Sequence, residues 1–271
     1  MRVLHLSVYD NVGGAGKAAF RLNSILSSFI DSKMLVLHKT SNNDSVVSFT
    51  LFFEKVYIKI LFLIEKFFIL IFGKNKNINF SIIHLNFFGV INKIKLLKPD
   101  IIHVHWIGNG MISLSELEVL KIPLVWTMHD HFIITGGCYT TDCKLYKVGC
   151  NSCPYISSIN NINNTRVEFI SKQNLLNNLF NFTLLTPSNY FYKLSNESSV
   201  TSSVSKFLIP NVIDDDIFYP VLKKEARDFF NLNMDTIYVG FGSMNFSIDK
   251  NKGFHLFLDS IKYLKYDITF L

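Results

Sequence analysis

Residues 99–106, Pro99-Asp100-Ile101-Ile102-His103-Val104-His105-Trp106, settle the architecture more than any other segment. They are apolar and β-branched between Pro99 and Gly108, the signature of a central parallel strand whose C-terminal end reaches the ligand side of a sheet. Side chains alternate across a strand, so His103 and His105 share one face and Trp106 takes the other. His105 lies nearer the C-terminal end and is the candidate for the ligand side. His103 reads as a core histidine.

Working outward, short β-branched runs alternate with longer helical patterns through residue 210, which predicts βαβ units around a parallel sheet. Upstream, residues 3–7 form a first strand. The loop Gly13-Gly14-Ala15-Gly16 leads into a helix over 17–29, and residues 34–38 give the next strand. A long apolar helix over 51–72 follows, then one over 85–97 that stops before Pro99. Downstream, Ser113 with Glu116 three residues later is a capping-box start, and residues 124–128 form a strand ending at His129-Asp130. Residues 135–165 read as a loop excursion. A helix over 166–179, a strand over 183–186, a helix opening at Pro187-Ser188-Asn189 and a strand over 207–209 complete the unit. Three aspartates and Pro220 mark a linker near 214–221. Beyond it, helices over 223–230 and 253–264 and strands over 237–241 and 268–271 open a second α/β unit.

With 49% apolar and 18% charged residues among 271, disorder is excluded. A net charge of +6 suits a membrane surface, a phosphate-bearing substrate or nucleic acid. Lys and Arg are spread along the chain without the clustered stripe of a nucleic-acid binder, so no nucleic-acid partner is expected. The start, Met1-Arg2-Val3-Leu4-His5-Leu6-Ser7, turns polar too soon for a signal peptide, which predicts a cytoplasmic protein. Within 51–72, Glu54, Lys55, Lys59, Glu65 and Lys66 interrupt the apolar run, so this helix does not span a membrane. It either lies in the lipid interface or is buried against the sheet.

All four cysteines fall within one segment, spaced Cys138-x4-Cys143-x6-Cys150-x2-Cys153. The closing C-x2-C suits tetrahedral zinc, although the first spacing is looser than in a zinc ribbon, and reduced thiols or disulfides stay open. Zinc here would be structural, pinning a loop beside the cleft, because four protein ligands leave no open position for chemistry.

Gly13-Gly14-Ala15-Gly16-Lys17-Ala18-Ala19-Phe20-Arg21-Leu22 is similar to the glycine-rich opening of family 4 glycosyltransferases of GT-B type. Further matches follow in order. The segment 99–106, Val125-Trp126-Thr127-Met128-His129-Asp130 and Thr135-Gly136-Gly137-Cys138 resemble the subgroup that assembles surface polysaccharides, including the colanic-acid type. Pro187-Ser188-Asn189 and Ile209-Pro210-Asn211-Val212-Ile213-Asp214 resemble the end of its acceptor domain and the hinge.

That resemblance implies an α/β fold of GT-B type. A Rossmann-like acceptor domain would cover 1–213, a hinge 214–234, and the start of a nucleotide-sugar domain 235–271, where the chain stops and transfer is expected to be impaired. It implies retaining hexosyl transfer from a UDP- or GDP-linked sugar to a lipid-linked or polysaccharide acceptor, with no cofactor essential to the chemistry. Peripheral attachment at the inner membrane face is expected, and a separate donor-domain chain is an alternative. His129 is the candidate catalytic residue, orienting a sugar hydroxyl or paired with Asp130. Gly13, Gly14, Lys17, His105, Asp130, Asn211 and Lys252 are the candidate acceptor- or donor-binding residues, with Lys250 as a stand-in for a missing arginine.

Overall fold

The computed structural model describes residues 1–74, 80–81, 89–108, 110–140, 142–157, 164–179, 181–243, 252–264 and 268–270. They divide into two compact units, Met1–Ile213 and Asp214–Leu271. In the first, β1 (Arg2–Tyr9), α1 (Gly13–Leu26), β2 (Asp31–His38), β3 (Val46–Val47), α2 (Phe52–Phe72), α3 (Gly89–Leu97), β4 (Ile101–Trp106) and α4 (Leu114–Val119) are followed by β5 (Leu124–Thr127), α5 (Asn164–Asn178), β6 (Phe182–Thr186), α6 (Asn189–Glu197) and β7 (Ser205–Leu208).

The seven strands form one sheet in the order β3-β2-β1-β4-β5-β6-β7, and every pairing is parallel. From β1 the chain winds outward to β3, then returns to β4 on the other side of β1. The order therefore reverses between β1 and β4, where an open α/β sheet leaves a crevice beyond its strand ends.

Alternation assigns the two faces. Leu4, Leu6 and Val8 of β1 with Ile102 and Val104 of β4 pack into a core shared with Ile58 and Leu61 of α2 and Phe169 of α5. Each such side chain contributes about 1.5–3 kcal/mol by leaving water. The odd-numbered positions of β1 turn to the face carrying Met34 and Val36 of β2, which pack against Ala19 of α1. In register, His5 sits beside His103, so both strands place histidines on that face.

The strand over 101–106 and the Ser113 capping box form as the sequence predicts; Glu116 N donates to Ser113 Oγ, and Ser113 N to Glu116 Oε2 at 3.0 Å. The structure departs from this reading in two places. The glycine run is not a loop ahead of a helix at 17 but the helix's own first turn, with Gly13 at φ +69°. Gly16 lets that turn close on β1, since a Cβ there would lie 2.9 Å from the Tyr9 carbonyl oxygen. The short strand β3 was not anticipated, and the helix expected over 85–97 is seen as α3, residues 82–88 lying outside the described set.

The second unit contains α7 (Lys223–Phe229), β8 (Ile237–Val239), α8 (Phe254–Ile261) and β9 (Ile268–Phe270), with β8 and β9 paired in parallel.

Candidate functional site: a histidine chain at the sheet edge

The reversal point is built from the ends of β1 and β4. Tyr9 stacks on His38 at 5.1 Å and lies 6.4 Å from the Trp106 ring. Next to it, Asp10 accepts from Thr40 N, Thr40 Oγ1 and Ser41 N, tying the end of β1 to the end of β2. Burial opposes ionisation of Asp10, but these bonds outweigh it and hold the carboxyl well below the usual range.

Beneath α1 the odd faces of β1, β4 and β5 bring four histidines together. His5 Nδ1 lies 3.0 Å from His105 Nε2, and His105 Nδ1 lies 3.0 Å from His129 Nε2. His103 stacks on His105 at 4.2 Å and bonds Thr127 Oγ1 at 2.8 Å. His5, His103 and His105 are buried and His129 is half-buried, just past β5 at the C-terminal edge. Burial pushes His5 and His129 down to about 4, and His103 and His105 well below the usual imidazole value, so all four are neutral at pH 7. Among the described residues, His5, His103 and His105 are the one trio of ligating side chains whose atoms all lie within 4.8 Å.

His105 and His129 are thus brought into contact, and His103 is a satisfied core histidine. The His129–Asp130 pair does not form. Asp130 instead accepts from Phe132 N at 2.9 Å and from the Trp106 side chain. Burial raises its carboxyl to about 7, against those two bonds and the charge of Lys172.

Lys172 of α5 is 1% exposed and reaches back under the same loop. Its Nζ donates to the carbonyls of Phe132 at 2.8 Å and Thr135 at 3.1 Å, faces Glu168 at 3.6 Å, and lies 3.5 Å from the Phe132 ring centre. A cavity of about 120 Å³ opens beside it, lined by Ser81, Gly108, Ser113, Phe132, Glu168 and Lys172.

The four cysteines line one cleft next to Thr135 and Gly136 and are not disulfide-bonded. Gly136 N donates to Cys150 Sγ at 3.2 Å and Tyr155 N to Cys153 Sγ at 3.4 Å, donors that favour thiolate. With the Cys138 thiol also beside it, Cys153 falls to about 6, while Cys138 is pushed far up by the Cys153 thiol and by burial. No three of these sulfurs lie within 4.8 Å of one another, so a metal would have to draw them closer.

Gly13 and Gly14 open α1, whose N-cap Val12 offers no side-chain cap, and a Cβ at either glycine would meet nothing within 4 Å. Lys17 and Asn211 are exposed in the first unit, Lys252 is exposed in the second, and Lys250 lies outside the described residues. Sequence reasoning missed His5 and Lys172.

On α2, Phe52, Phe53, Ile60, Leu63, Phe67 and Leu70 are exposed, as are Lys55, Lys59 and Lys66. Glu54 caps the helix through Leu51 N, and burial raises Glu65 to about 7 beside Ser81. The outer face is therefore apolar and positive. Among the described residues no helix is long and apolar enough to cross a membrane.

No protein-family model matches the chain. A protein of Escherichia coli named as a colanic acid biosynthesis glycosyl transferase, WcaC, is 30% identical over 94 residues, covering 29% of this chain and 23% of that protein. The crystal structure of Anabaena HepE in complex with UDP is matched over 100% of this chain and 60% of that one, at 13% identity and a TM-score of 0.51. The chain thus spans under two thirds of either protein. Its first unit has the seven-stranded parallel architecture of the N-terminal Rossmann-like domain of GT-B glycosyltransferases.

Proposed function

We propose that this chain is the acceptor-side part of a retaining GT-B glycosyltransferase of the family 4 type. It takes a hexose from a UDP- or GDP-linked donor to a lipid-linked or polysaccharide acceptor in cell-surface polysaccharide assembly. One observation carries the reading: the His5–His105–His129 chain ends on a half-buried imidazole at the C-terminal edge of a parallel sheet, where such folds bind ligands. The likeness to WcaC and to UDP-bound HepE supports it.

In this reading His129 orients a substrate oxygen at the transfer site, and Gly13 and Gly14 let ligand approach the uncapped start of α1, with Lys17 nearby in sequence. Residues 214–234 serve as the hinge, and Lys252 acts on the donor side of the second unit. Cys138, Cys143, Cys150 and Cys153 hold a structural zinc. The apolar, lysine-bearing face of α2 rests on anionic lipid at the inner membrane face, which keeps the acceptor site next to a lipid-linked substrate.

The test is sugar transfer by the whole protein from labelled UDP- and GDP-hexoses to polyprenyl-linked acceptors. Transfer that falls about 100-fold in His129→Ala, at unchanged thermal stability, is the expected result. Unchanged transfer in His129→Ala removes that residue from the site, and no transfer from any hexose donor once a donor domain is supplied in the same or a separate chain rejects the reading.

A further inference from the structure

The histidine chain constrains its own protons. A neutral imidazole carries one N–H and one lone pair. Each of the 3.0 Å contacts, His5 Nδ1 with His105 Nε2 and His105 Nδ1 with His129 Nε2, needs one of each. The tautomers are therefore not independent. Either every proton sits on Nδ1 and the bonds run from His5 toward His129, or every proton sits on Nε2 and they run back.

The ends of the chain decide between these states. His5 is 0% exposed, and among the described residues its Nε2 has no hydrogen-bond partner. In the backward state that nitrogen would be a buried N–H with no acceptor, a rarer and costlier arrangement than an idle lone pair. In the forward state it is only the lone pair that goes unused. At the other end, His129 is half-buried and its Nδ1 takes no part in the chain, so an N–H there is free to meet solvent or ligand.

We infer that His5 and His105 fix His129 as its Nδ1–H tautomer, so that it presents a hydrogen-bond donor and no lone pair to whatever occupies the sheet edge. The matching ligand group is an oxygen acceptor, on a diphosphate or on a sugar. His129 then orients and stabilises that oxygen and does not serve as the base that removes a proton from an acceptor hydroxyl. His5 and His105 are positioning residues, acting through His129. Burial keeps the three rings neutral, and the other titratable group acting on them is His103. The functional meaning rests on the transfer site proposed above, whereas the tautomer itself is read without any turnover.

The experiment is a long-range proton–nitrogen spectrum of the protein labelled with ¹⁵N-histidine, at neutral pH. Protonated Nδ1 and bare Nε2 on His5, His105 and His129 are expected. In His105→Phe, His129 should lose that pattern and move toward the Nε2–H form that free histidine prefers. Addition of UDP or of a methyl hexoside should shift the His129 Nδ1 signal, the first marking a phosphate oxygen and the second a hydroxyl oxygen. A native His129 with Nε2–H overturns the inference, as does an unchanged Nδ1–H in a folded His105→Phe protein. Loss of the native pattern on adding a chelator also overturns it, because a metal would then be joining the rings. Silence toward both ligands overturns the ligand-facing role. The native spectrum needs no variant, so a His105→Phe protein that fails to fold leaves the inference open to refutation.

Discussion

Replacing Lys172 by methionine should be the most costly single change near the site. The side chain is 1% exposed and its ammonium holds the carbonyls of Phe132 and Thr135 at 2.8 and 3.1 Å while facing Glu168 at 3.6 Å. Methionine matches the length and would fill the space, so cavity formation is not the issue. The loss is electrostatic: two buried carbonyls lose a charged donor, and Glu168 loses its ion pair in a poorly solvated setting. Removing one partner of a buried pair costs about 3–5 kcal/mol. For a unit of this size, about 2–4 °C per kcal/mol gives a drop in Tm on the order of 10 °C. Urea unfolding of wild type, Lys172→Met, Glu168→Gln and the double variant closes a cycle. The double variant should recover at least half of the loss, since the stranded charge is gone. A single variant within 1 kcal/mol of wild type, or a double variant no better than Lys172→Met, would refute the reasoning.

Other outcomes follow from the same geometry. Asp130 titrates near 7 when folded and near 3.8 when unfolded, so the folded state binds more protons between those values and the aspartate's contribution to stability falls as pH rises through them. Asp130→Asn should therefore gain on wild type between pH 4 and pH 8 in thermal melts; a constant difference would show that the carboxyl is not shifted. Gly14→Ala, with open space for a Cβ inside α1, should stabilise by about 0.5–1 kcal/mol, whereas Gly16→Ala, 2.9 Å from a backbone oxygen, should destabilise by about 1–3 kcal/mol. Equal effects in denaturant titrations would contradict the packing of that turn. Protein purified without chelator should hold about one zinc per chain by elemental analysis, and well under that amount rejects the cysteine site. Vesicle sedimentation should show binding to anionic but not neutral lipid, weakening with salt, with Lys55, Lys59 and Lys66 each contributing about 1 kcal/mol. Equal binding to both lipids would reject an electrostatic contribution.

The parallel sheet was legible because buried strands such as β4 announce themselves as continuous β-branched runs between proline and glycine. Strand β3 was not, since two residues carry no period. His105 could be nominated from its place near a strand end, and His129 from the resemblance of residues 125–130 to family 4 glycosyltransferases. His5 could not: its partner in the chain lies 100 residues away, and only the parallel register of β1 on β4 brings them together. Lys172 and Glu168 escaped notice for another reason. A lysine and a glutamate at i,i+4 on a helix normally mark a solvated face, yet α5 turns this pair inward to meet loop carbonyls that no sequence pattern reveals.

The neighbour of β1 on its inner side is β4, which ends at Trp106, while β2 ends at His38. During synthesis at roughly 5–20 residues per second, β1 and β2 therefore wait about 3–14 s before the strand that completes the middle of the sheet is made. In that interval one edge of β1 has its amides and carbonyls unpaired, and the apolar residues of α2 are made while it lasts. The young chain is at its most adhesive then, so slowed translation between residues 39 and 106 should raise the share of misassembled protein more than a pause placed after β4.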